Sequence, residues 1–228
     1  MKNLALFDFD HVIYNGQSFL DIVKYEIELE RIIPAVEEEI LTLLSKYKSE
    51  DLSYNQTLSG MLEVFCKSLK GIKYSDLLYD SINYFNSNPD SFFSYFNLIL
   101  PDLKKTYDVY LITANTKFIA QAVVKKYKLA GFISSRYEVK NNIFTGNIKN
   151  SLAGDKQVVS SLVLKYGKKN SIAIGDSEND IGMLQQVESP ICLNPTKNLL
   201  QYALDKNWKV INDTNALSEL NTLLKSIK

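Results

Sequence analysis

Leu4-Ala5-Leu6-Phe7-Asp8-Phe9-Asp10 is a short apolar run that ends in two carboxylates. A continuous apolar run of this length predicts a strand that is buried on both faces, as in a parallel sheet. Ser171-Ile172-Ala173-Ile174-Gly175-Asp176 repeats the pattern late in the chain, and residues 108–113 form a similar run that ends in the hydroxyl of Thr113. We therefore expect three core strands, each followed by a polar side chain at its carboxyl end.

Helical patterns alternate with these strands. Residues 115–129 have helical spacing, with Gly131 expected to end the helix, and residues 155–166 form a second helical segment. Further strands are predicted over 132–139, 143–148, 190–193 and 208–211, and further helices over 179–187 and 196–205. This alternation predicts an α/β fold with a doubly wound parallel sheet, in which ligands bind beyond the carboxyl ends of the strands.

Residues 16–100 interrupt the alternation with helical periodicity alone. Phe19, Ile22, Val23 and Ile27 are spaced along one helix face, and a similar apolar stripe runs from Leu58 to Leu69. A helical block between the first two core strands would lie over the ligand-binding edge. We therefore expect residues 1–15 and 101–228 to form the core domain and residues 16–100 to form a cap.

Composition limits the classes of partner. The chain has 228 residues, 26 basic and 26 acidic, and a formal net charge of zero. No long-range field favours nucleic acid or an anionic membrane, and no apolar stretch approaches the ~20 residues that span a bilayer. The two cysteines, Cys66 and Cys192, are expected to be free thiols, and without a secretory leader pattern we expect a cytoplasmic protein.

Two acidic pairs follow predicted strands. Asp8 and Asp10 are two residues apart, so in an extended strand both would point the same way and repel each other unless a cation lay between them. Asp176 and Asp180 follow Gly175, whose missing side chain lets the backbone approach a ligand. Hard oxygen ligands at this density favour Mg²⁺. The alternatives are solvated acids in a turn for the first pair and helix capping for the second.

A hydroxyl and a lysine complete the set of candidates. Thr113 ends a strand, and Ala114 and Asn115 open the next helix, where free backbone N–H groups bind phosphate well. Taken alone, the segment is better explained by simple N-capping through Thr113 or Asn115. Lys156 stands at the start of a predicted helix, where the dipole disfavours a cation unless that cation neutralises carboxylates or phosphate.

The order of these segments resembles the haloacid dehalogenase (HAD) superfamily over essentially the whole chain. Phe7 to Val12 is similar to its first motif, Leu111 to Ala114 to its second, Lys156 to its third, and Gly175 to Asp180 to its fourth. Three further stretches resemble its phosphoserine-phosphatase-like branch, subfamily IB: 135–139, 144–146 and 192–195. The resemblance implies a Rossmannoid core with a helical cap inserted between the first two motifs.

The resemblance also implies a mechanism. Asp8 would attack phosphorus and form an aspartyl phosphate, and Asp10 would act as general acid and base. Mg²⁺ would be held by Asp8, the backbone carbonyl of Asp10, Asp176 and Asp180. An acid at position 10 favours hydrolysis of phosphate esters over dehalogenation.

The same resemblance assigns the phosphate contacts. Thr113, the Ala114 N–H and Lys156 would hold the phosphoryl oxygens. Gln17, Asn115 and Asn179 are further candidates for substrate contacts, and Gln17 stands where phosphoserine phosphatases carry a glutamate.

We expect a Mg²⁺-dependent phosphatase acting on a small phosphomonoester. Phosphoserine itself fits less well, because no arginine occurs between Ser53 and Leu69, where that branch places one in the cap. Phosphoserine phosphatase proper, phosphotransfer to an alcohol and a catalytically silent phosphate-binding module remain alternatives. The oligomeric state is left open.

Overall fold

The computed structural model describes residues 2–153 and 156–226. Seven strands form one sheet: β1 (Asn3–Phe7), β2 (Tyr107–Thr116), β3 (Gly131–Lys140), β4 (Ile143–Asn150), β5 (Ser171–Gly175), β6 (Ser189–Leu193) and β7 (Lys209–Ile211). Their order is β4-β3-β2-β1-β5-β6-β7. All neighbouring pairs are parallel except β3 and β4, which pair antiparallel. The doubly wound parallel sheet expected from the sequence is confirmed.

Helices cover both faces of this sheet. They are α1 (Ser18–Glu28), α2 (Ala35–Lys48), α3 (Tyr54–Ser68), α4 (Tyr74–Ser87), α5 (Ser94–Thr106), α6 (Lys117–Tyr127), α7 (Ser160–Tyr166), α8 (Ile181–Leu184), α9 (Lys197–Asp205) and α10 (Ala216–Ser226). Alternate residues of β1 separate the two layers. Ala5 and Phe7 belong to the apolar cluster that includes α5 and α6, whereas Leu4 and Leu6 belong to the one that includes α7 and α9. This two-sided burial explains why the strand is continuously apolar.

The insert between β1 and β2 is helical, as its periodicity predicted. Its helices α1 and α3 meet through the rings of Phe19 and Phe65, whose centroids are 5.3 Å apart. Phe65 also contacts Phe118 of α6 and Tyr137 of β3, so the insert packs on the core. α5 continues through Pro101 and packs against β2 and α10, and the proposed boundary at residue 100 therefore falls inside a helix.

Gly131 does not end α6, contrary to our expectation. The helix ends at Tyr127, and Lys128 takes the left-handed conformation (φ 49°) that usually favours glycine. Gly131 instead begins β3, where an added Cβ would lie 2.7 Å from the ring of Tyr110. The glycine is required for close packing of a neighbouring aromatic ring and has no role in capping.

Two smaller features concern the cysteines and the lengths of the helices. Cys66 and Cys192 are buried free thiols, as predicted. No described helix is both long and apolar enough to cross a bilayer.

Candidate active site

Three carboxylates converge at the carboxyl edge of the sheet. Asp8 directly follows β1, and Asp176 and Asp180 follow the adjacent strand β5. One oxygen from each lies within 4.8 Å of the other two, and all three residues are buried. The fold brings together groups that are more than 160 positions apart in the chain, because parallel neighbours end at the same edge.

The spacing between Asp176 and Asp180 has a local cause. The backbone turns after Asp176, and Asp180 Oδ2 accepts hydrogen bonds from the N–H groups of Asp176 (2.9 Å) and Ser177 (3.1 Å). The Asp180 side chain thus folds back over the end of β5, where a Cβ on Gly175 would lie 2.5 Å from Asp180 Cβ. Gly175 is needed to make room for the Asp180 carboxylate, so the position of the two acids depends on the glycine.

Lys156 lies inside the carboxylate cluster. Its Nζ donates to Asp8 Oδ1 at 2.5 Å and to Asp180 Oδ1 at 2.6 Å. The residue is only 1% exposed. A lysine is rarely buried to this degree unless it is paired, and this one is paired twice. The sequence argument that this cation neutralises carboxylates is consistent with the geometry.

The electrostatics show that one lysine does not balance three acids. Burial and the neighbouring Asp180 raise the pKa of Asp8 to about 7, against the lowering effect of Lys156. Burial, Asp180 and Asp8 together raise the pKa of Asp176 well above its ordinary value. Burial alone would lower the pKa of Lys156, but Asp180 and Asp8 outweigh it and raise that pKa. The cluster therefore has an excess of negative charge that a cation would relieve.

The donor set suits a magnesium ion. Mg²⁺ holds oxygen ligands at about 2.1 Å, so ligands on opposite sides of the ion lie about 4.2 Å apart. The carboxylate oxygens of Asp8, Asp176 and Asp180 lie within 4.8 Å of one another, so a single ion of this size between them can be approached by all three. Buried carboxylates with no soft ligand among them favour this ion over zinc or copper.

Asp10 has a separate environment. Its Oδ1 accepts from the Ser18 N–H at 2.7 Å, and its Oδ2 accepts from Asn115 Nδ2 at 2.8 Å. The extended spacing expected for Asp8 and Asp10 does not hold, because β1 ends at Phe7, and the two carboxylates have different hydrogen-bond partners. Burial raises the pKa of Asp10, against the lowering effect of the bonds from Ser18. The Asp10 carboxylate is not part of the convergent cluster of described residues.

β2 is irregular where its polar residues occur. Thr113 pairs with Ser134 of β3, but the next pair is Thr116 with Ser135, so Ala114 and Asn115 form a bulge. Bulges re-aim side chains and are common beside active sites. The buried Thr113 hydroxyl accepts from the Asn115 N–H at 3.1 Å, and Asn115 Nδ2 also donates to Ser18 Oγ at 3.0 Å. Asn115 thus holds Asp10, a role that the sequence did not reveal.

The other two substrate candidates differ in exposure. Gln17 is exposed and immediately precedes α1, next to the Ser18 N–H that binds Asp10. Asn179 is buried in the short turn between Asp176 and Asp180. Gln17 is therefore accessible to a ligand, whereas Asn179 belongs to the turn that shapes the carboxylate cluster.

Tyr54 lies near the carboxylate cluster, although the sequence analysis did not place it in the site. It begins α3 in the inserted helical block, and its phenol is close enough to Ser177, in the turn after β5, for the two to interact. Burial raises the pKa of Tyr54, the bond with Ser177 opposes this, and the charge of Asp176 raises the pKa further. The capping box of Ser53 and Gln56 predicts a helix start here but not its contact with the distant carboxylates.

Comparison with known proteins agrees with this geometry. A family model described as haloacid dehalogenase-like hydrolase matches residues 5–185. The chain belongs to the haloacid dehalogenase-like hydrolase family. The matched span includes the described carboxylate cluster, Lys156 and the inserted helices.

A curated relative matches part of the chain. The chain is 30% identical over 107 residues to the phosphoserine phosphatase SerB1 of Mycobacterium tuberculosis, and the match covers 45% of this chain and 35% of that protein. The match thus spans about a third of the curated relative.

Solved structures of similar fold align with nearly the whole chain. A phospho-aspartyl intermediate analogue of phosphoserine phosphatase aligns with a TM-score of 0.68 and 19% identity, over 97% of this chain and 98% of that one. A protein of unknown function from Bordetella pertussis Tohama I aligns with a TM-score of 0.76 and 22% identity, over 93% and 99% of the two chains. At these identities the likeness establishes the fold, including the inserted helices.

Proposed function

We propose that this hydrolase is a Mg²⁺-dependent phosphatase that acts on a small phosphomonoester through an aspartyl phosphate on Asp8. The observation that carries the proposal is the buried cluster of Asp8, Asp176, Asp180 and Lys156. Its excess negative charge suits a divalent cation, and the same cation would attract the phosphate group of a substrate. Asp8, Asp176 and Asp180 would hold the ion through side chains, together with the backbone carbonyl of Asp10.

Asp8 is the proposed nucleophile. Its Oδ1 is held by Lys156, which fixes the carboxylate and leaves the second oxygen for attack on phosphorus. The pKa of Asp8 is about 7 among these neighbours, so a bound divalent cation would favour the ionised, nucleophilic form. The attack would form the Asp8–phosphorus bond and break the bond to the ester oxygen.

Asp10 is the proposed general acid and base. Its raised pKa suits a carboxyl that gives a proton to the leaving ester oxygen. As the carboxylate, it would then take a proton from the water that hydrolyses the aspartyl phosphate. Ser18 and Asn115 hold its two oxygens in place. Because Asp8 and Asp10 have different partners, one fold can keep a nucleophile and an acid side by side.

The phosphoryl oxygens would be held by Lys156, the Thr113 hydroxyl and the Ala114 N–H. Thr113 is the last residue of the regularly paired part of β2, and Ala114 lies in the bulge that comes next. Lys156 already pairs with the Asp8 carboxylate, so the same cation would stabilise the negative charge as it moves from Asp8 onto the phosphoryl group.

The proposed cap, residues 16–100, favours a substrate other than phosphoserine. A phosphoserine carboxylate needs a cation, and Arg31 is the one arginine in that segment. Arg31 is ion-paired with Asp80, and also lies 3.5 Å from Glu26 and 3.9 Å from Asp76. Gln17 likewise offers no charge to a substrate ammonium. We therefore propose an ester without the paired charges of an amino acid.

Hydrolysis of p-nitrophenyl phosphate tests the reaction class. The wild-type chain should hydrolyse it with Mg²⁺ and should lose activity when the ion is chelated, whereas equal rates with and without the ion would contradict the metal assignment. A panel of phosphorylated metabolites then tests the substrate. Efficient turnover of phosphoserine would overturn the argument from Gln17 and Arg31.

A further inference from the structure

A separate cleft opens where β3 leaves β2. The two strands pair as far as Thr116 and Ser135, and from Arg136 onwards β3 pairs with β4. The fork encloses a cavity of about 710 Å³ between the β3–β4 hairpin and the first turn of α6. Its wall includes the rings of Tyr74 and Phe118, and it shares no residue with the carboxylate cluster.

The cleft is positively charged although the chain as a whole is neutral. Lys117, Arg136 and Lys149 line it, and among the described residues none of the three forms an ion pair with a carboxylate. The acid in the cleft, Glu138, is already paired with Lys140 at 3.2 Å. Three unneutralised cations around one concave surface focus a field that attracts anions.

A buried, unpartnered hydroxyl lies in the same wall. Thr116 is the residue that precedes α6, a helix of 11 residues, and is 1% exposed. Its Oγ1 has no hydrogen-bond partner in the part of the chain that the structure describes, and it does not cap the helix. A threonine in this position normally accepts from an N–H of the first turn. The helix start therefore keeps its N–H groups and positive dipole end for another acceptor.

We propose that this cleft is a binding site for an oxyanion, the phosphate or carboxylate group of a small molecule. The Arg136 guanidinium would bind it in a forked geometry, with Lys117 and Lys149 adding charge. The Thr116 hydroxyl and the N-terminus of α6 would complete the polar contacts. The aromatic rings of Tyr74 and Phe118 would pack against the body of the ligand.

The chain contains its own control for this proposal. It has two arginines, Arg31 and Arg136. Arg31 Nε donates to Asp80 in the helical insert, whereas Arg136 has no carboxylate partner among the described residues. Two guanidinium Nε–H resonances should therefore be resolved by NMR, one for the cleft and one for a reference site.

Titration with sodium sulfate, without Mg²⁺, tests binding directly. The Arg136 Nε–H resonance should move and saturate with sulfate, while the Arg31 resonance stays in place, and sodium chloride at matched ionic strength should move neither. Equal or unsaturable shifts at both arginines would overturn the proposal. This readout needs no enzymatic activity, so failure of the proposed phosphatase reaction would leave it unaffected.

Variants assign the site and the source of the anion. Followed through the backbone amide resonances of Lys117 and Phe118 in the cleft wall, sulfate binding should be weakened by Arg136→Gln, about tenfold or more, and by Thr116→Val, but not by Lys169→Gln outside the cleft. An unchanged affinity in both variants would overturn the site. If the anion belongs to the substrate, Arg136→Gln should raise KM for phosphate esters with a second anionic group and not for p-nitrophenyl phosphate. If it is a separate effector, sulfate should change p-nitrophenyl phosphate turnover in wild type but not in Arg136→Gln.

Discussion

Among the described residues, two clusters each combine three acids with one basic residue, and only one of them is buried throughout and has the geometry of a site. The core cluster consists of Asp8, Asp176, Asp180 and Lys156. The cluster in the helical insert consists of Glu26, Asp76, Asp80 and Arg31. Composition alone does not distinguish them.

The arrangement of oxygens does distinguish them. In the core, the lysine donates to two acids at 2.5 and 2.6 Å, and three carboxylates present oxygens to a common point. In the insert, Arg31 bonds closely to Asp80 alone, and the buried Glu26 has no hydrogen-bond partner for either oxygen. The carboxylates of the second cluster do not converge on a metal-sized space among the described residues. The candidate site is therefore distinguished by carboxylates that converge at the edge of the sheet, and the number of acids does not distinguish it.

The largest expected effect is that of Asp8→Asn. The variant should lose p-nitrophenyl phosphate turnover by about 10⁴-fold or more, because the proposed nucleophile is removed while the shape of the side chain is kept. Asp80→Asn in the second cluster should retain kcat within about threefold. Steady-state kinetics with circular dichroism as a check of folding would decide, and substantial turnover by Asp8→Asn would refute the nucleophile assignment.

Replacing the basic residue should lower the reaction rate in one cluster and the stability of the fold in the other. Lys156→Met should lower kcat by about 10²–10³-fold, since one stabilising donor for the phosphoryl group is lost. Arg31→Met should instead cost about 2 kcal/mol of unfolding free energy in urea, because it leaves the buried Asp80 carboxylate without its cationic partner. A kcat loss for Arg31→Met as large as that for Lys156→Met would remove the distinction between the clusters.

Magnesium should stabilise the protein through the core cluster alone. At a concentration about 100 times its Kd, the ion should raise the free energy of unfolding by about 2.7 kcal/mol. Asp176→Asn should abolish this gain and Asp76→Asn should preserve it. Thermal unfolding with and without the ion measures both, and stabilisation that survives in Asp176→Asn would place the ion elsewhere.

The second cluster should give a pH effect that does not involve catalysis. Burial and the charge of Asp80 raise the pKa of Glu26 from 4.5 to about 8, against the effect of Arg31. The folded state then holds a proton that the unfolded state has lost between these values, so its stability falls as pH rises through this window.

Comparison of unfolding free energies isolates this term. Between pH 6 and pH 8, wild type should lose about 2 kcal/mol relative to Glu26→Gln. Glu28→Gln, an exposed change on the same helix, should follow wild type. If Glu26→Gln also followed wild type, Glu26 would not be protonated in the folded state.

Local patterns predicted the sheet and two of the residues that meet at its edge. The apolar runs before Asp8 and Asp176 placed these residues at strand ends, because a short continuous apolar run is typical of a strand buried on both faces. Thr113 was also expected to end its strand, but β2 continues to Thr116 and includes Ala114 and Asn115, which were expected to open a helix. The order of the four motifs then linked residues that are far apart. The C-terminal helix α10 was not predicted, because its residues 216–226 follow the last strand with no motif to mark them.

The misses have a common physical origin. Asn115 holds the Asp10 carboxylate through a hydrogen bond between residues 105 positions apart, which no local spacing predicts. Tyr54 reaches Ser177 through tertiary packing of the helical insert, which no local pattern encodes. Gly131 was expected to cap a helix. A glycine fits there because the ring of Tyr110 on the neighbouring strand lies where a side chain would be.

Trapping the covalent intermediate tests the central claim most directly. Wild-type protein mixed with Mg²⁺ and p-nitrophenyl phosphate, quenched rapidly in acid and digested, should show a phosphoryl group on the peptide that contains Asp8, with fragmentation placing it on that residue. The Asp10→Asn variant should accumulate more of it, because the base for the second step is weakened. A catalytically active wild type that carries the phosphoryl group on another residue, or on none in either protein, would contradict the account.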